Sequence, residues 1–551
     1  MMTRARIEII AVLLATLCII SALAAQEAAH ATDLTSDLLQ AAPEDLQWFR
    51  DAKFGLFIHW GPVSQAGTEI SFSRGNPIPV DQYDSLYKTF NPTKFDAKRW
   101  VAIAKSAGMK YLVFTTKHHD GFCEFDSKLT DYKITNSPFR RDIVAELSRA
   151  CHKAGLKLGF YYSQPDWNNP DFRKNRERYI EYLHGQLREL CTNYGKVDVV
   201  WFDGLDCTAR EMDSPNLIRM IRRLQPHVLI NNRAALRADF DTPEQTIGKF
   251  QANRPWESCI TIGTQWSYKP NEPIKSTDEC IRTLVRCAGG DGNLLLNVGP
   301  MPTGEIDPLH VQRLAEIGGW LKKYGRSVYG TRGGPFISLP WGVSTHRGNR
   351  VYLHILDWPS DTISLPAIPL RIVKSYALTG GKPVVKQAND AVEITLPKCD
   401  RAQTDTIIVL QLDGLAASIM PPEPFSGSLA TGKQATASNV YLEGSSYGPD
   451  KAVDDDTSTR WATDYGVQSA WLEVDLATTV TFSSAFLSEA YDRVQEFELQ
   501  CKTGDDWRTF ARGTTIGEGL KLSFDPVTAR FVRVNVTKST DGPTIWEFRV
   551  K

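Results

Sequence analysis

Between Phe54 and Val298, seven short apolar runs alternate with stretches of helical character, and no other feature of the chain restricts its fold as much. The runs are Phe54–Trp60, Tyr111–Thr116, Leu156–Tyr162, Val197–Phe202, Val228–Asn231, Cys259–Gly263 and Leu294–Val298; the helical stretches include Phe95–Gly108, Asp142–Gly155, Asn175–Asn193 and Ser214–Gln225. Ala107-Gly108 and Ala154-Gly155 fall just before a strand, where helices commonly stop. Apolar, β-branched runs this short read as strands covered on both faces, and strand alternating with helix makes parallel βαβ units. Seven such strands within roughly 280 residues predict a TIM-like (β/α)8 barrel. An open doubly wound sheet is the alternative; it loses support because no Gly-rich phosphate loop follows the first strand.

Barrel chemistry collects at the C-terminal ends of the strands. Strand one ends in His59-Trp60, strand two in His118-His119-Asp120, strand three in Tyr161-Tyr162, strand four in Asp203 and strand five in Asn231-Asn232-Arg233. Asp203 follows Val199-Val200-Trp201-Phe202 and precedes Gly204, so a carboxylate stands where a buried strand stops. Aspartate also caps helices and turns, which is the plain alternative for this residue. A single buried histidine is usually a satisfied core residue, but three of the chain's ten at equivalent strand ends point to a site. A zinc centre built from them would lack HxH or HExxH spacing.

From Gly334 the pattern changes to alternating strands, Val351–Leu356, Thr362–Leu365, Val392–Leu396 and Thr406–Leu410, which predict a small antiparallel sandwich. Ala416–Phe425, with Pro421, Pro422 and Pro424, reads as a linker, and residues 426–551 as a third, all-β unit. The expected division is therefore a leader at 1–25, a barrel at 26–335, a sandwich at 336–415, the linker, and the last β unit. The leader has Arg4 and Arg6, an apolar run Ile9–Leu23 and Ala22-Leu23-Ala24, the pattern of a secretory signal. That run is short for a membrane span, and Cys18 is poorly placed for lipidation. A secreted or periplasmic location is expected, with no membrane span in the mature chain. The remaining nine cysteines are scattered and show no CxxC pair, so no disulfide is assigned. A formal net charge of −1 gives nucleic acid no electrostatic support as a partner.

Several blocks together resemble the retaining α-L-fucosidases of glycoside hydrolase family 29. They are Phe54-Gly55-Leu56-Phe57-Ile58-His59-Trp60-Gly61, Lys117-His118-His119-Asp120-Gly121-Phe122, Gly159-Phe160-Tyr161-Tyr162-Ser163, Trp201-Phe202-Asp203-Gly204, Trp256-Glu257 and Asn293-Leu294-Leu295-Leu296-Asn297-Val298-Gly299-Pro300, in that order. The resemblance implies exo-acting removal of terminal α-L-fucose through a covalent intermediate, from a fucosylated oligosaccharide or glycoprotein. It implies Asp203 as nucleophile, His59, His118 and His119 as holders of fucose hydroxyls, Tyr161 and Arg233 as further contacts, and Trp60, Glu69 and Trp266 among the substrate-binding set. For the acid/base it leaves two candidates: Glu244, after strand five, is the first choice, and Glu257, entering strand six from its N-terminal side, the second. Many relatives carry Glu-Trp after the first strand where this chain has Glu69-Ile70-Ser71-Phe72, which leaves the aromatic wall of the pocket open.

The residue types suit that chemistry. Retaining hydrolysis uses two carboxyl groups ~5–5.5 Å apart, one ionised to attack and one protonated to release the alcohol. Their roles demand different pKa values. Neutral imidazoles offer one donor and one acceptor each to sugar hydroxyls. The reaction needs no metal or organic cofactor. The last unit, with Ala452-Val453-Asp454, Thr459-Arg460-Trp461-Ala462, Trp471–Leu476 and Ala529–Val534, resembles discoidin-like (F5/8 type C) domains, some of which bind sugars and hold a structural calcium. Asp450, Asp454 and Asp456 are the acidic residues in question, equally readable as a solvated turn. Two other functions stay open: a carbohydrate-binding protein that kept the barrel and lost catalysis, and a glycosidase for a similarly configured sugar such as L-galactose.

Overall fold

The computed structural model describes residues 39–204, 208–236, 238–337, 339–419, 428–443, 447–455, 459–517 and 519–551. The expected leader, Cys207 and Asp456 lie outside them. The chain forms two compact units, Met1–Met420 and Pro421–Lys551. None of the described helices is long and apolar enough to cross a membrane. The eight described cysteines are free thiols.

The first unit is built on seven parallel strands: β1 (Phe54–Ile58), β2 (Tyr111–Lys117), β3 (Lys157–Ser163), β4 (Val199–Asp203), β5 (Leu229–Ile230), β6 (Glu257–Thr261) and β7 (Asn293–Val298). They pair in the order β5-β4-β3-β2-β1-β7-β6. Helices intervene as expected, three of them begun by a side chain that accepts from first-turn amides: Asp96 before Ala97–Ser106, Asp142 before Ile143–Ala154, Asn175 before Arg176–Asn193. The helix Ile143–Ala154 stops at Gly155, whose φ of 65° suits glycine.

Side chains alternate across the strands by period two. Leu56, Ile58, Leu112, Phe114, Leu158, Phe160, Val200 and Phe202 pack outward in one core with the helices. Phe57, Tyr111, Val113, Tyr161, Val199, Trp201, Leu229, Cys259 and Leu295 fill the interior. Gly55 is an interior position because an added Cβ would stand 2.4 Å from the Tyr111 ring.

The two sheet edges, β5 and β6, are joined by a segment that is not a regular strand. Asp239 N donates to Ile230 O (2.8 Å) and Asn232 N to Phe240 O (3.0 Å) on one side. On the other, Glu257 N donates to Asp241 O (2.9 Å), Cys259 N to Pro243 O (3.0 Å) and Gln245 N to Cys259 O (3.0 Å). Residues 239–245 thus act as an eighth stave, with no helix among the described residues between them and β5. Two buried ion pairs hold it: Arg222 grips both oxygens of Asp239 (2.8 and 2.7 Å), and Arg254 Nε donates to Asp241 Oδ1 (2.7 Å). Because β5 has only two residues, the Asn231 side chain continues its ladder, accepting from Phe202 N and donating to Phe202 O, both at 2.8 Å.

Also in this unit, β8 (Arg332–Gly333), β9 (Gly342–Arg347), β10 (Arg350–Ile355), β12 (Ile372–Ala377) and β15 (Thr406–Leu412) form one sheet in the order β12-β15-β10-β9-β8. β11 (Thr362–Pro366), β13 (Val384–Gln387) and β14 (Ala391–Thr395) form another, in the order β11-β14-β13. Both are antiparallel, and alternate residues such as Val351, Leu353, Ile363, Leu365, Val392, Ile394, Ile408 and Leu410 share one core.

The second unit is all β. β16 (Gln434–Ala437), β17 (Trp461–Ala462), β18 (Ala470–Glu489), β19 (Val494–Thr503), β20 (Asp506–Gly513), β21 (Leu520–Ser539) and β22 (Thr544–Val550) form an antiparallel sheet, β17-β22-β18-β21-β19-β20, with β16 also on β18. Trp461, Leu472, Val474, Phe482, Leu487, Phe497, Val532, Val534 and Phe548 make its core. Asp454 accepts the Thr459 hydroxyl (2.8 Å), and Asp450 pairs with Lys451 (3.1 Å).

Candidate active site

The C-terminal ends of the barrel strands surround a pocket that opens to solvent. Phe57, His59, Phe72, His118, His119, Tyr161, Trp201, Asp203, Arg233, Glu244, Cys259 and Trp266 line it. Strand alternation explains the set: His59 lies two residues past inward Phe57, and Asp203 two past inward Trp201.

Asp203 sits low in the pocket with 13% of its side chain exposed, whereas Glu244 at the mouth has 42% exposed. Oδ2 of Asp203 accepts the Tyr161 hydroxyl at 2.7 Å and Oδ1 accepts Arg233 Nη1 at 3.1 Å; His119 Nε2 lies 3.5 Å from Oδ2. Burial pushes this carboxyl up, but the charge of Arg233 and the hydrogen bonds of Tyr161 and Arg233 outweigh it, leaving the group below the ordinary aspartate value. It is ionised at neutral pH.

The same Arg233 Nη1 donates to Glu244 Oε2 at 2.8 Å. Contacts of 3.1 and 2.8 Å through one nitrogen keep the two carboxylate oxygens no more than about 6 Å apart, near the ~5–5.5 Å separation of retaining pairs. Arg233 is itself fixed: Nε donates to Thr242 Oγ1 and Nη2 to Thr242 O, both at 2.9 Å, and the guanidinium lies 4.8 Å over the Trp201 ring. Glu244, after strand five, lies on the eighth stave, bridged to Cys259 of β6.

The histidines are held by their inner nitrogens. Asn297, which donates Nδ2 to Trp266 O (2.7 Å), turns its Oδ1 to His59 Nδ1 (2.7 Å), so His59 carries its proton there and offers Nε2 as an acceptor. Ser163 Oγ donates to Pro165 O and therefore accepts from His119 Nδ1 (2.6 Å). His118 Nδ1 faces Ser71 Oγ (2.6 Å), and its ring stacks on Tyr161. Burial pushes all three imidazoles down, His59 to about 3. They are neutral at working pH. His118, His119 and Asp203 bring ligand atoms within 4.8 Å of one another, close enough for a metal, but Asp203 is already committed to a cation and a phenol.

Three expected residues do not line the pocket. Trp60 follows inward His59 and so faces outward, packed on Phe90, Phe95 and Trp100 with its indole N–H on Met301 O. Glu69 turns to the backbone of the neighbouring loop, accepting from Trp266 N (2.8 Å) and Ser267 N (3.3 Å), so that it holds Trp266 in place at the pocket wall. Glu257, the second acid/base candidate, lies inside the barrel at the start of β6, beneath Trp201. The aromatic wall left open by Glu69-Ile70-Ser71-Phe72 is supplied by Phe72, 53% exposed, edge-on to His118, His119 and Trp167. Phe57, Trp201 and Cys259 also line the site, and the motifs do not single them out; counting back two residues from His59 and from Asp203 finds the first two.

A family model described as alpha-L-fucosidase matches residues 19–326, and one described as F5/8 type C domain matches residues 434–548. Among solved structures, α-L-fucosidase isoenzyme 1 from Paenibacillus thiaminolyticus is 38% identical, with TM-score 0.63, over 67% of this chain and 99% of that one. A GH29 α-L-fucosidase from Bacteroides thetaiotaomicron, solved as a trapped covalent intermediate with 2-fluoro-fucosyl fluoride, is 29% identical, with TM-score 0.63, over 68% of this chain and 97% of that one. Human plasma α-L-fucosidase is 30% identical over 402 residues, 64% of this chain and 85% of that protein.

Proposed function

The chain belongs to the α-L-fucosidases of glycoside hydrolase family 29, and on that premise we propose that it is exo-acting, taking terminal α-L-fucose from oligosaccharides or glycoproteins, with Asp203 as nucleophile and Glu244 as acid/base. The observation that carries these roles is the single Arg233 nitrogen shared by the two carboxylates.

Asp203, ionised and gripped by Tyr161 and Arg233, attacks the anomeric carbon. Glu244 delivers a proton to the departing oxygen, and its exposure at the mouth suits a donor that must meet varied leaving groups. A fucosyl ester on Asp203 results. Glu244, now a carboxylate, then takes a proton from water as that water attacks the same carbon and frees Asp203. Neutral His59, His118 and His119 bind the hydroxyls, and Phe57, Phe72 and Trp266 cover the apolar face and methyl group of a 6-deoxy sugar. No step requires a metal or organic cofactor. We place the enzyme outside the inner membrane, secreted or periplasmic, on the signal pattern of residues 1–25.

Hydrolysis of an aryl α-L-fucoside by the wild type, Asp203→Gly, Glu244→Ala and Glu257→Ala, with azide as external nucleophile, tests the assignment. Asp203→Gly loses hydrolysis by several orders of magnitude. Azide restores Glu244→Ala alone among the glutamate variants, giving a fucosyl azide of retained configuration. A fully active Asp203→Gly enzyme, or azide rescue at Glu257 instead, overturns these roles.

A further inference from the structure

Glu257 opens β6 with no exposed surface, and the reaction gives it no step. Its Oε2 accepts the Tyr111 hydroxyl and its Oε1 accepts the Trp201 indole N–H at 3.0 Å. Burying a carboxyl costs more than burying an apolar side chain of similar volume, so filling the barrel does not account for a glutamate at this position.

Trp201 is what the carboxyl reaches, and Trp201 carries the site. Its ring lies beneath the pocket, stacks on Tyr161 with centroids 5.6 Å apart and planes at 19°, and bears the Arg233 guanidinium at 4.8 Å. Tyr161 and Arg233 are the two groups hydrogen-bonded to Asp203, and Arg233 also holds Glu244. The outer torsion of a tryptophan has a broad intrinsic minimum, and a hydrogen bond from Nε1 helps to fix the indole plane.

We propose that Glu257 is a positioning residue for the reaction: through the Trp201 N–H it sets the indole plane on which Tyr161 and Arg233 rest, and thereby the alignment of Asp203 with Glu244. The inference rests on the reading of that pair as nucleophile and acid/base.

The test compares Glu257→Gln, Glu257→Met and Trp201→Phe on an aryl α-L-fucoside, with kcat and KM measured separately on protein shown to be folded by thermal unfolding. Glutamine keeps an acceptor for the indole and offers an N–H to the Tyr111 oxygen, so Glu257→Gln stays within threefold of the wild type. Methionine fills the volume and accepts nothing; kcat falls 10- to 100-fold, KM moves less than threefold, and azide restores nothing. A folded Glu257→Met enzyme with wild-type kcat overturns the proposal. Should that variant not fold, Trp201→Phe removes the N–H and leaves Glu257 in place; the same loss in kcat supports the proposal and a wild-type kcat overturns it. Azide rescue of Glu257→Met would make Glu257 the acid/base, while an active Asp203→Gly enzyme would remove the underlying reading, so the two failures are told apart.

Discussion

Tyr161 donates its phenolic proton to Oδ2 of Asp203 across 2.7 Å, from the neighbouring strand. A hydrogen bond to a charged group is worth about 1.5–3 kcal/mol, so Tyr161→Phe should lower kcat/KM by roughly 10- to 100-fold. The pH profile should move as well. The carboxyl sits below the ordinary aspartate value with Tyr161 as one of the causes; losing the donor raises it, and activity, which needs the ionised form, then begins at a higher pH. An acid limb that stays in place would show that the phenol does not tune the nucleophile.

Phe72 stands exposed at the mouth, edge-on to two histidines of the pocket and to Trp167. Phe72→Ala should raise KM for an aryl α-L-fucoside by about five- to tenfold, an aromatic contact of ~1 kcal/mol, with kcat within twofold of the wild type. A fall in kcat with KM unchanged would move Phe72 from binding to chemistry.

The stave at 239–245 depends on buried charge. Arg254→Leu takes the cation from buried Asp241, and breaking such a pair costs about 3–5 kcal/mol, read as a lower urea midpoint. Removing both charges in Arg254→Leu with Asp241→Leu should recover part of the loss, because no buried carboxylate then lacks its cation. Equal loss in the single and double variants would mean that the pair matters for shape rather than charge.

His59 gives a pH dependence to stability. Folded, burial holds its imidazole down at about 3, against 6.5 for the exposed group, so between these values the unfolded chain binds the extra proton. Its contribution is intact above pH 6.5 and is lost progressively as pH falls toward 3. His59→Asn should therefore show a flatter fall of the urea midpoint across that window, and an identical slope would refute the assignment.

The regular staves are legible in the sequence because each is a short apolar run, two of them preceded by a helix stop at Gly108 and Gly155, and the strand ends deliver His59, His118, His119, Tyr161, Asp203 and Arg233 to one pocket. The eighth stave is not, for a physical reason. Asp239, Asp241, Thr242, Pro243 and Glu244 form no apolar run and only Thr242 among them is β-branched, and they pair through isolated bridges and ion pairs whose partners, Arg222 and Arg254, lie outside the strands themselves. Trp60 is misplaced when the alternation that puts it opposite to His59 is ignored. Glu257 shares the inward face with Cys259 but at a different depth, which a sequence period does not measure. Glu69 is acidic and near the site, yet its carboxylate turns to backbone amides of the Trp266 loop.

The closure of the barrel through 239–245 divides the chemistry between two supports of unequal strength. Asp203 is registered by a continuous ladder with β3, while Glu244 hangs from a joint of a few main-chain bonds clamped by Arg222 and Arg254. Heat or denaturant that loosens this joint first would leave a protein still able to be esterified by an activated fluoride, which needs little help in leaving, yet unable to cleave a glycan. Failure would then begin in the proton donor, with the nucleophile still armed.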